Sequence, residues 1–141
     1  MLSVSYTHLD VYKRQGVNLI DSSAWLEYFA GGTQARHVAA AIERIDRLLV
    51  PTIVLTEVTR RVMQQRDEDA ALQVAAVLHQ GQVVPLDSGI AVSAAHYGVA
   101  HKLPLADSII FATARQFDAT IWTFDADFKD LPGVKYFPKS K

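Results

Sequence analysis

The sequence contains no cysteine, which excludes disulfide bonds, thiolate zinc sites and cysteine nucleophiles. It also lacks a charge excess, because 14 Lys and Arg residues face 15 Asp and Glu residues, for a formal net charge of -1. No global basic field therefore indicates nucleic acid, although a local basic groove or bound cations could serve instead. No apolar run approaches the roughly 18 residues of a membrane span, and no signal peptide is recognisable. We expect a soluble cytoplasmic protein.

The first 15 residues, MLSVSYTHLDVYKRQ, show no helical or strand period that leads into the following segment. The codons of Tyr6 to Tyr12 can be chosen so that ATACACATCT is followed by its own reverse complement, which resembles a sequencing adapter fused head to head. We therefore expect residues 1–15 to be a non-native extension and 16–141 to form a single domain. The alternative is an ordinary native extension.

Strand and helix patterns alternate along the rest of the chain. Half of the 141 residues are hydrophobic, enough for one domain with a substantial core. The alternation predicts a mainly parallel sheet covered on both faces, a three-layer α/β/α sandwich. The predicted strands are 17–21, 48–50, 82–86, 119–124 and 134–137, and the predicted helices are 22–29, 34–48, 52–66, 67–78, 87–102 and 104–117.

Four acidic residues fall where such a sheet is expected to bind a ligand. Ligands of open parallel sheets gather at the carboxyl ends of the strands. Asp21 ends the first predicted strand, and Asp125 follows the fourth in WTFDADF. Glu57 lies one turn into its helix, and Asp107 lies in the first turn after Pro104. All four could converge on one pocket.

Each acid also has a purely structural interpretation. Asp21 could cap the following helix by accepting a bond from a nearby amide. Glu57 could pair with Arg61 on a solvated face. Asp107 is favoured near a helix N-terminus by the helix dipole, and the acids of the segment 125–127 could be ordinary turn residues. Taken singly, none of these residues establishes a site.

The order of four motifs does point to one family. IDSSAWLEYF, LTEV, LPLADSIIFATA and TIWTFDADF, at these intervals, resemble the PIN-domain ribonucleases and most closely the VapC toxins of bacterial toxin-antitoxin pairs. The resemblance extends from Val17 to about Phe137. It implies that the catalytic, metal-binding acids are Asp21, Glu57, Asp107 and Asp125, with Asp127 as an accessory acid and with Ser22 and Thr123 supporting the acids by hydrogen bonds.

The chemistry of a carboxylate cluster agrees with that implication. Closely packed carboxylates repel one another and raise their own pKa values unless a cation neutralises them. Oxygen ligands without histidine or cysteine favour Mg²⁺ or Mn²⁺, which can activate water for attack on a phosphodiester. The resemblance implies endonucleolytic cleavage of RNA, such as tRNA or rRNA, by a homodimeric toxin that a cognate antitoxin protein neutralises.

Five basic residues are candidates for a rim that binds phosphate groups. Candidate cations lie on helices that carry or neighbour the acids: Arg60, Arg61, Arg66, Lys102 and Arg115.

Two other functions are alternatives for these acids. A response-regulator receiver would need a second acid beside the one ending the first strand, whereas Asp21 is followed by two serines. The other rival is a PIN domain that is not a toxin and processes RNA, or only binds RNA or a protein. The presence of all four acids argues against a dead site.

Overall fold

Five short strands form one sheet in the computed structural model, which describes residues 16–139. All of the strand pairings are parallel. The predicted non-native extension, 1–15, lies outside the described residues. The strands are β1 Asn18–Ile20, β2 Leu48–Pro51, β3 Gln82–Val84, β4 Thr120–Thr123 and β5 Val134–Tyr136.

Six α-helices within 16–139 flank this sheet, and the predicted α/β class is confirmed. Short 3₁₀ turns, Ile45–Arg47 and Ala126–Phe128, lead into β2 and out of β4. The helices are α1 Ser22–Ala30, α2 Arg36–Glu43, α3 Thr52–Gln65, α4 Glu68–Leu78, α5 Ser88–His101 and α6 Leu105–Gln116.

The strand order is β3-β2-β1-β4-β5. The chain therefore places β2 and β3 on one side of β1 and then returns to place β4 and β5 on the other side. This reversal makes the gap between the carboxyl ends of β1 and β4 the topological switch point, where open α/β sheets bind ligands. A receiver fold has the order 2-1-3-4-5, so the observed order excludes the response-regulator alternative.

Local sequence explains most of the element boundaries. Gly31 ends α1 in the left-handed conformation, with φ of 63°, which glycine adopts without strain. Asp67 and Asp87 cap α4 and α5, each accepting a 2.8 Å bond from an amide in the first turn. Pro51 ends β2 and directly precedes α3, where its missing amide hydrogen removes no helical bond.

The predicted helix 34–48 is the main discrepancy. The observed α2 ends at Glu43, because Arg44 leaves the helical region with φ -83° and ψ 72°. A 3₁₀ turn then carries the chain into β2, whose four residues are all buried. A strand that is buried on both faces has a continuous apolar sequence, and periodicity alone does not distinguish such a run from a turn of buried helix. The predicted helix therefore extends too far, up to the start of β2.

The described chain offers no candidate for a membrane span, since none of its helices combines the required length and apolar character.

Candidate active site

Asp21 lies at the carboxyl end of β1 and is only 3 % exposed. Its carboxylate accepts three hydrogen bonds. Oδ1 accepts from the amide of Ala24 at 3.0 Å and from the hydroxyl of Ser23 at 2.7 Å. Oδ2 accepts from the hydroxyl of Thr123 at 2.6 Å. The capping interpretation of Asp21 is therefore right, but capping uses only one of the three bonds.

Burial raises the pKa of Asp21 to about 6. Removal from water disfavours the charged form, and the negative charge of Asp125 acts in the same direction. The hydrogen bonds from Thr123, Ser23 and Ala24 act in the opposite direction, because they stabilise the carboxylate. These three hydrogen bonds therefore limit the rise in the pKa of Asp21 that burial causes.

Two hydroxyls tie Asp21 to the segment that leaves β4; we call Ser23 and Thr123 together the hydroxyl clasp. The Ser23 oxygen accepts from the amide of Phe124 at 3.1 Å, and the Thr123 oxygen accepts from the amide of Asp125 at 2.8 Å. The two hydroxyl oxygens lie 3.4 Å apart. The clasp therefore connects the ends of β1 and β4 at the switch point.

Glu57 is held at the same end of the sheet by a different serine. Ser22 donates a 2.6 Å hydrogen bond to Glu57 Oε1, which joins α1 to α3. Pairing with Arg61, the structural alternative for Glu57, does not occur, since the ion pair found within 16–139 joins Arg44 and Asp46. Ser22 thus supports Glu57, whereas Ser23 and Thr123 support Asp21.

Three acids form a compact group beside the switch point; we call Asp107, Asp125 and Asp127 the three-acid cluster. One carboxylate oxygen from each lies within 4.8 Å of the others. The backbone amide of Asp127 donates a 2.9 Å bond to Asp125 Oδ1, so the turn after β4 holds the Asp125 side chain against its own backbone. Asp107 reaches them from the first turn of α6.

Burial and the neighbouring acids raise the pKa of Asp107 from 3.8 to about 8. Partial burial is the largest cause, followed by the negative charges of Asp125 and Asp127, a hydrogen bond with Asp127 and the charge of Asp21. In the absence of a cation, the carboxyl group of Asp107 therefore keeps its proton at neutral pH. These couplings also show that Asp21 is near enough to influence the cluster.

The donor set fits a hard divalent cation. One carboxylate oxygen from each of the three acids lies within 4.8 Å of the others, so the three together could hold a divalent ion. All of the donors are carboxylate oxygens, which suit Mg²⁺ and Mn²⁺. Within the described chain, Asp21 and Glu57 do not belong to the set of mutually close oxygens. The charge of Asp21 acts on Asp107, whereas Glu57 is connected to Ser22, the residue after Asp21.

A groove of about 680 Å³ runs along α1, α3 and α4. Its apolar surface includes Leu26, Phe29 and Val62, and Arg61 and Arg66 are on its rim. Ser23 also lines it, so the groove adjoins the hydroxyl clasp. Two of the five predicted phosphate-binding cations thus lie on this groove, and all five are exposed: Arg60, Arg61, Arg66, Lys102 and Arg115.

Sequence reasoning missed the contribution of Ser23. It named Ser22 and Thr123 as supporting hydroxyls, yet Ser23 is the serine that bonds to Asp21. A polar residue two positions after a helix-capping aspartate was the available signal, since the side chain of such a residue can return to the cap. The resemblance ranked Asp127 as accessory, whereas its carboxylate is part of the three-acid cluster.

Comparison with known proteins gives one family and several similar structures. The PIN domain family model matches residues 19–134. A search of curated protein sequences gives no significant match. A toxin-antitoxin complex from Klebsiella pneumoniae has a chain that is 24 % identical, with a TM-score of 0.73, over 84 % of this chain and 95 % of that one.

Two further solved structures share the fold. VapC20 of Mycobacterium tuberculosis, described as a toxin that cleaves the sarcin-ricin loop, is 21 % identical with a TM-score of 0.69, over 82 % of this chain and 95 % of that one. DNA-bound VapBC from Salmonella typhimurium has a chain that is 15 % identical with a TM-score of 0.66, over 87 % and 98 % of the two chains. At these identities the likeness establishes the fold.

Proposed function

Because the chain belongs to the PIN domain family, we propose that it is a Mg²⁺- or Mn²⁺-dependent endoribonuclease acting as the toxin of a toxin-antitoxin pair. The observation that carries the proposal is the meeting of acids at the switch point. The three-acid cluster places three carboxylate oxygens within 4.8 Å, and Asp21 is held beside them by both members of the hydroxyl clasp. The proposal assigns catalysis and metal binding to Asp21, Glu57, Asp107 and Asp125, with Asp127 as a further ligand.

The side chains of the site have distinct roles in this proposal. Asp107 releases its proton when a cation binds, since the positive charge replaces the proton in balancing Asp125 and Asp127. Asp21 presents Oδ2, because two donors already occupy Oδ1. A bound Mg²⁺ or Mn²⁺ ion supplies the activated water and stabilises charge on the leaving oxygen. No side chain is needed as a general base.

The substrate class follows from the charge of the site. An anionic pocket repels a polynucleotide until a cation occupies it, so substrate and metal binding are coupled. The exposed arginines of the groove, Arg61 and Arg66, can hold phosphates adjacent to the cleaved one. We expect the substrate to be an RNA such as tRNA or rRNA, encountered in the cytoplasm. VapC20, which shares the fold, is described as cleaving the sarcin-ricin loop, and this supports the expectation.

The groove also suits the antitoxin partner. Its apolar surface can take the apolar face of a peptide segment, and its arginines favour acidic residues in that segment. The groove adjoins Ser23, so a docked segment lies beside the acids and can place a basic side chain against them. The similar Klebsiella pneumoniae structure is described as a toxin-antitoxin complex, which supports a partner of this kind.

We assign the homodimer contact to the outer face of α5. The helix has no Asp, Glu, Lys or Arg in its 14 residues. Val92 and Val99 are 62 % and 83 % exposed on it, and Leu105 at the start of α6 is 79 % exposed. Apart from the exposed His96 and His101, this surface carries no side chain that ionises near neutral pH, so it can pack against its own copy with little like-charge repulsion, as a two-fold interface requires. Val99→Glu should produce monomers in light scattering, whereas Leu72→Glu, at an exposed apolar position on α4, should not.

RNA cleavage by the purified protein tests the proposed activity. We expect cleavage that requires Mg²⁺ or Mn²⁺, stops with EDTA and is absent from Asp21→Asn and Asp107→Asn. Asp130→Asn, which removes an exposed acid outside the three-acid cluster, should cleave like the wild type. Persistent cleavage in both site variants would show that the chemistry lies elsewhere. Cleavage in vitro without growth arrest on expression would favour RNA processing over a toxin role.

A further inference from the structure

We propose that Ser23 is a positioning residue that holds Asp21 and the Asp125 segment in the spacing that cation binding requires. The inference rests on the proposed function and names a residue to which neither the motifs nor the comparisons give a role. It depends on the direction of two hydrogen bonds at one hydroxyl.

The Ser23 hydroxyl both donates a hydrogen bond and accepts one. It donates its single hydrogen to Asp21 Oδ1 at 2.7 Å, and its oxygen accepts from the amide of Phe124 at 3.1 Å. Phe124 is 4 % exposed, so its amide has little access to water as a substitute. Loss of the hydroxyl would therefore leave a buried donor without a partner, besides removing one bond to the carboxylate.

Thr123 forms a parallel bridge on the other carboxylate oxygen. Its hydroxyl donates to Asp21 Oδ2 at 2.6 Å and accepts from the amide of Asp125 at 2.8 Å. The hydroxyl clasp thus connects both oxygens of Asp21 to the amides of two consecutive residues, Phe124 and Asp125. Together with the Ala24 amide, the two hydroxyls hold the carboxylate by three hydrogen bonds, and loss of Ser23 would remove the bond that ties Oδ1 to the segment after β4.

The Ser23 bridge also determines which oxygen faces the cations. Oδ1 receives the Ala24 amide and the Ser23 hydroxyl, which use the two lone pairs of that atom. Oδ2 receives only the Thr123 hydroxyl and keeps a lone pair for an ion. Without Ser23, each oxygen would keep one donor, the Ala24 amide on Oδ1 and the Thr123 hydroxyl on Oδ2, so Oδ2 would no longer be the single oxygen with a lone pair available for an ion.

Mn²⁺ titration of the purified protein without RNA tests the inference. Supporting hydrogen bonds of this type change metal affinity or activity by about 10- to 100-fold. We expect Ser23→Ala to bind Mn²⁺ about tenfold more weakly in calorimetry, and kcat for RNA to fall by a similar factor with KM unchanged. Ser23→Thr retains the hydroxyl and should restore most of the affinity.

A matched control separates the hydroxyl of Ser23 from hydroxyls in general. Thr56 is exposed on α3 and its hydroxyl bonds only to the carbonyl of Thr52, so Thr56→Ala should bind Mn²⁺ like the wild type. Unfolding in EDTA identifies variants that have not folded. If Ser23→Ala is one of them, Ser23→Cys takes its place, since its thiol is a weak donor and acceptor and should lower the Mn²⁺ affinity in the same direction.

The outcomes distinguish the two proposals. Mn²⁺ binding by Ser23→Ala within threefold of the wild type, or equal losses in Ser23→Ala and Ser23→Thr, would overturn the role of Ser23 while leaving the nuclease proposal intact. Wild-type Mn²⁺ binding without RNA cleavage would overturn the nuclease and leave the Ser23 comparison valid. Absence of Mn²⁺ binding by the wild type would overturn both.

Discussion

Replacing Asp107 with asparagine should stabilise the metal-free protein at neutral pH while abolishing its activity. The folded protein raises the pKa of Asp107 from 3.8 to about 8. Between these values the folded state binds a proton that the unfolded state has released, so the free energy of unfolding falls as the pH rises from 3.8 to about 8. Above that range the loss is complete.

The size of the effect follows from the shift. One pKa unit corresponds to about 1.4 kcal/mol, which sets an upper limit of about 4 kcal/mol at pH 7. Water reaches part of the carboxyl group and screens its neighbours, so we expect about 2 kcal/mol. The side-chain amide in Asp107→Asn does not titrate and has no charge to repel Asp125 and Asp127, so the variant should keep this free energy across the pH range.

Urea unfolding followed by circular dichroism, in EDTA at pH values from 4 to 9, measures the difference. The stability gap between Asp107→Asn and the wild type should widen as the pH rises, whereas Asp130→Asn should show no such trend. With Mn²⁺ at 100 times its dissociation constant, the wild type should gain about 2.7 kcal/mol and the variant little. A wild type that becomes more stable as the pH rises, or a variant no more stable at pH 7, would refute the reasoning.

Three further substitutions test other parts of the structure. Gly32→Ala places a Cβ against the carboxylate of Glu27, which must then move away from the Gln34 amide that it binds at 3.0 Å. The free energy of unfolding should fall by about 1 kcal/mol, and an unchanged urea midpoint would show that the Glu27 side chain moves without cost. Asp87→Ala removes the cap of α5 and should cost about 1 kcal/mol in the same assay, and no loss would show that water replaces the cap. Arg61→Glu should weaken antitoxin binding in calorimetry, more at low salt than at high salt. Arg36 is also exposed but does not line the groove, so Arg36→Glu should leave binding unchanged. Equal effects of the two substitutions would argue against the groove as the binding site.

The order of strands and helices was predictable because each strand has its own short apolar run and each helix its own boundary residue. Asp67, Asp87 and Gly31 mark helix ends by local hydrogen bonds or backbone conformation, which depend on residues only a few positions away. The end of α2 was not predictable, since the departure of Arg44 from the helix depends on how the following turn enters a fully buried strand.

The candidate site was predictable as a set of acids but not as a set of contacts. Asp21 and Asp125 could be placed at strand ends from the pattern alone. The bond between Ser23 and Phe124 joins residues 101 positions apart and depends on the register that pairs Ile20 with Trp122. The residues near Ser23 or near Phe124 in the sequence do not determine that register. The membership of Asp127 in the three-acid cluster likewise depends on how the turn after β4 faces α6.

The pairing of β1 with β4 has a consequence for biosynthesis. The bond between Thr123 and Asp21 spans 102 positions, from the first strand of the sheet to the fourth. A growing chain that still lacks β4 has no Asp125 and no partner for Asp21 Oδ2. Contacts this distant in sequence form late, after the intervening chain has been ordered. The acids of the candidate site therefore come together only after the segment that contains β4 has been synthesised.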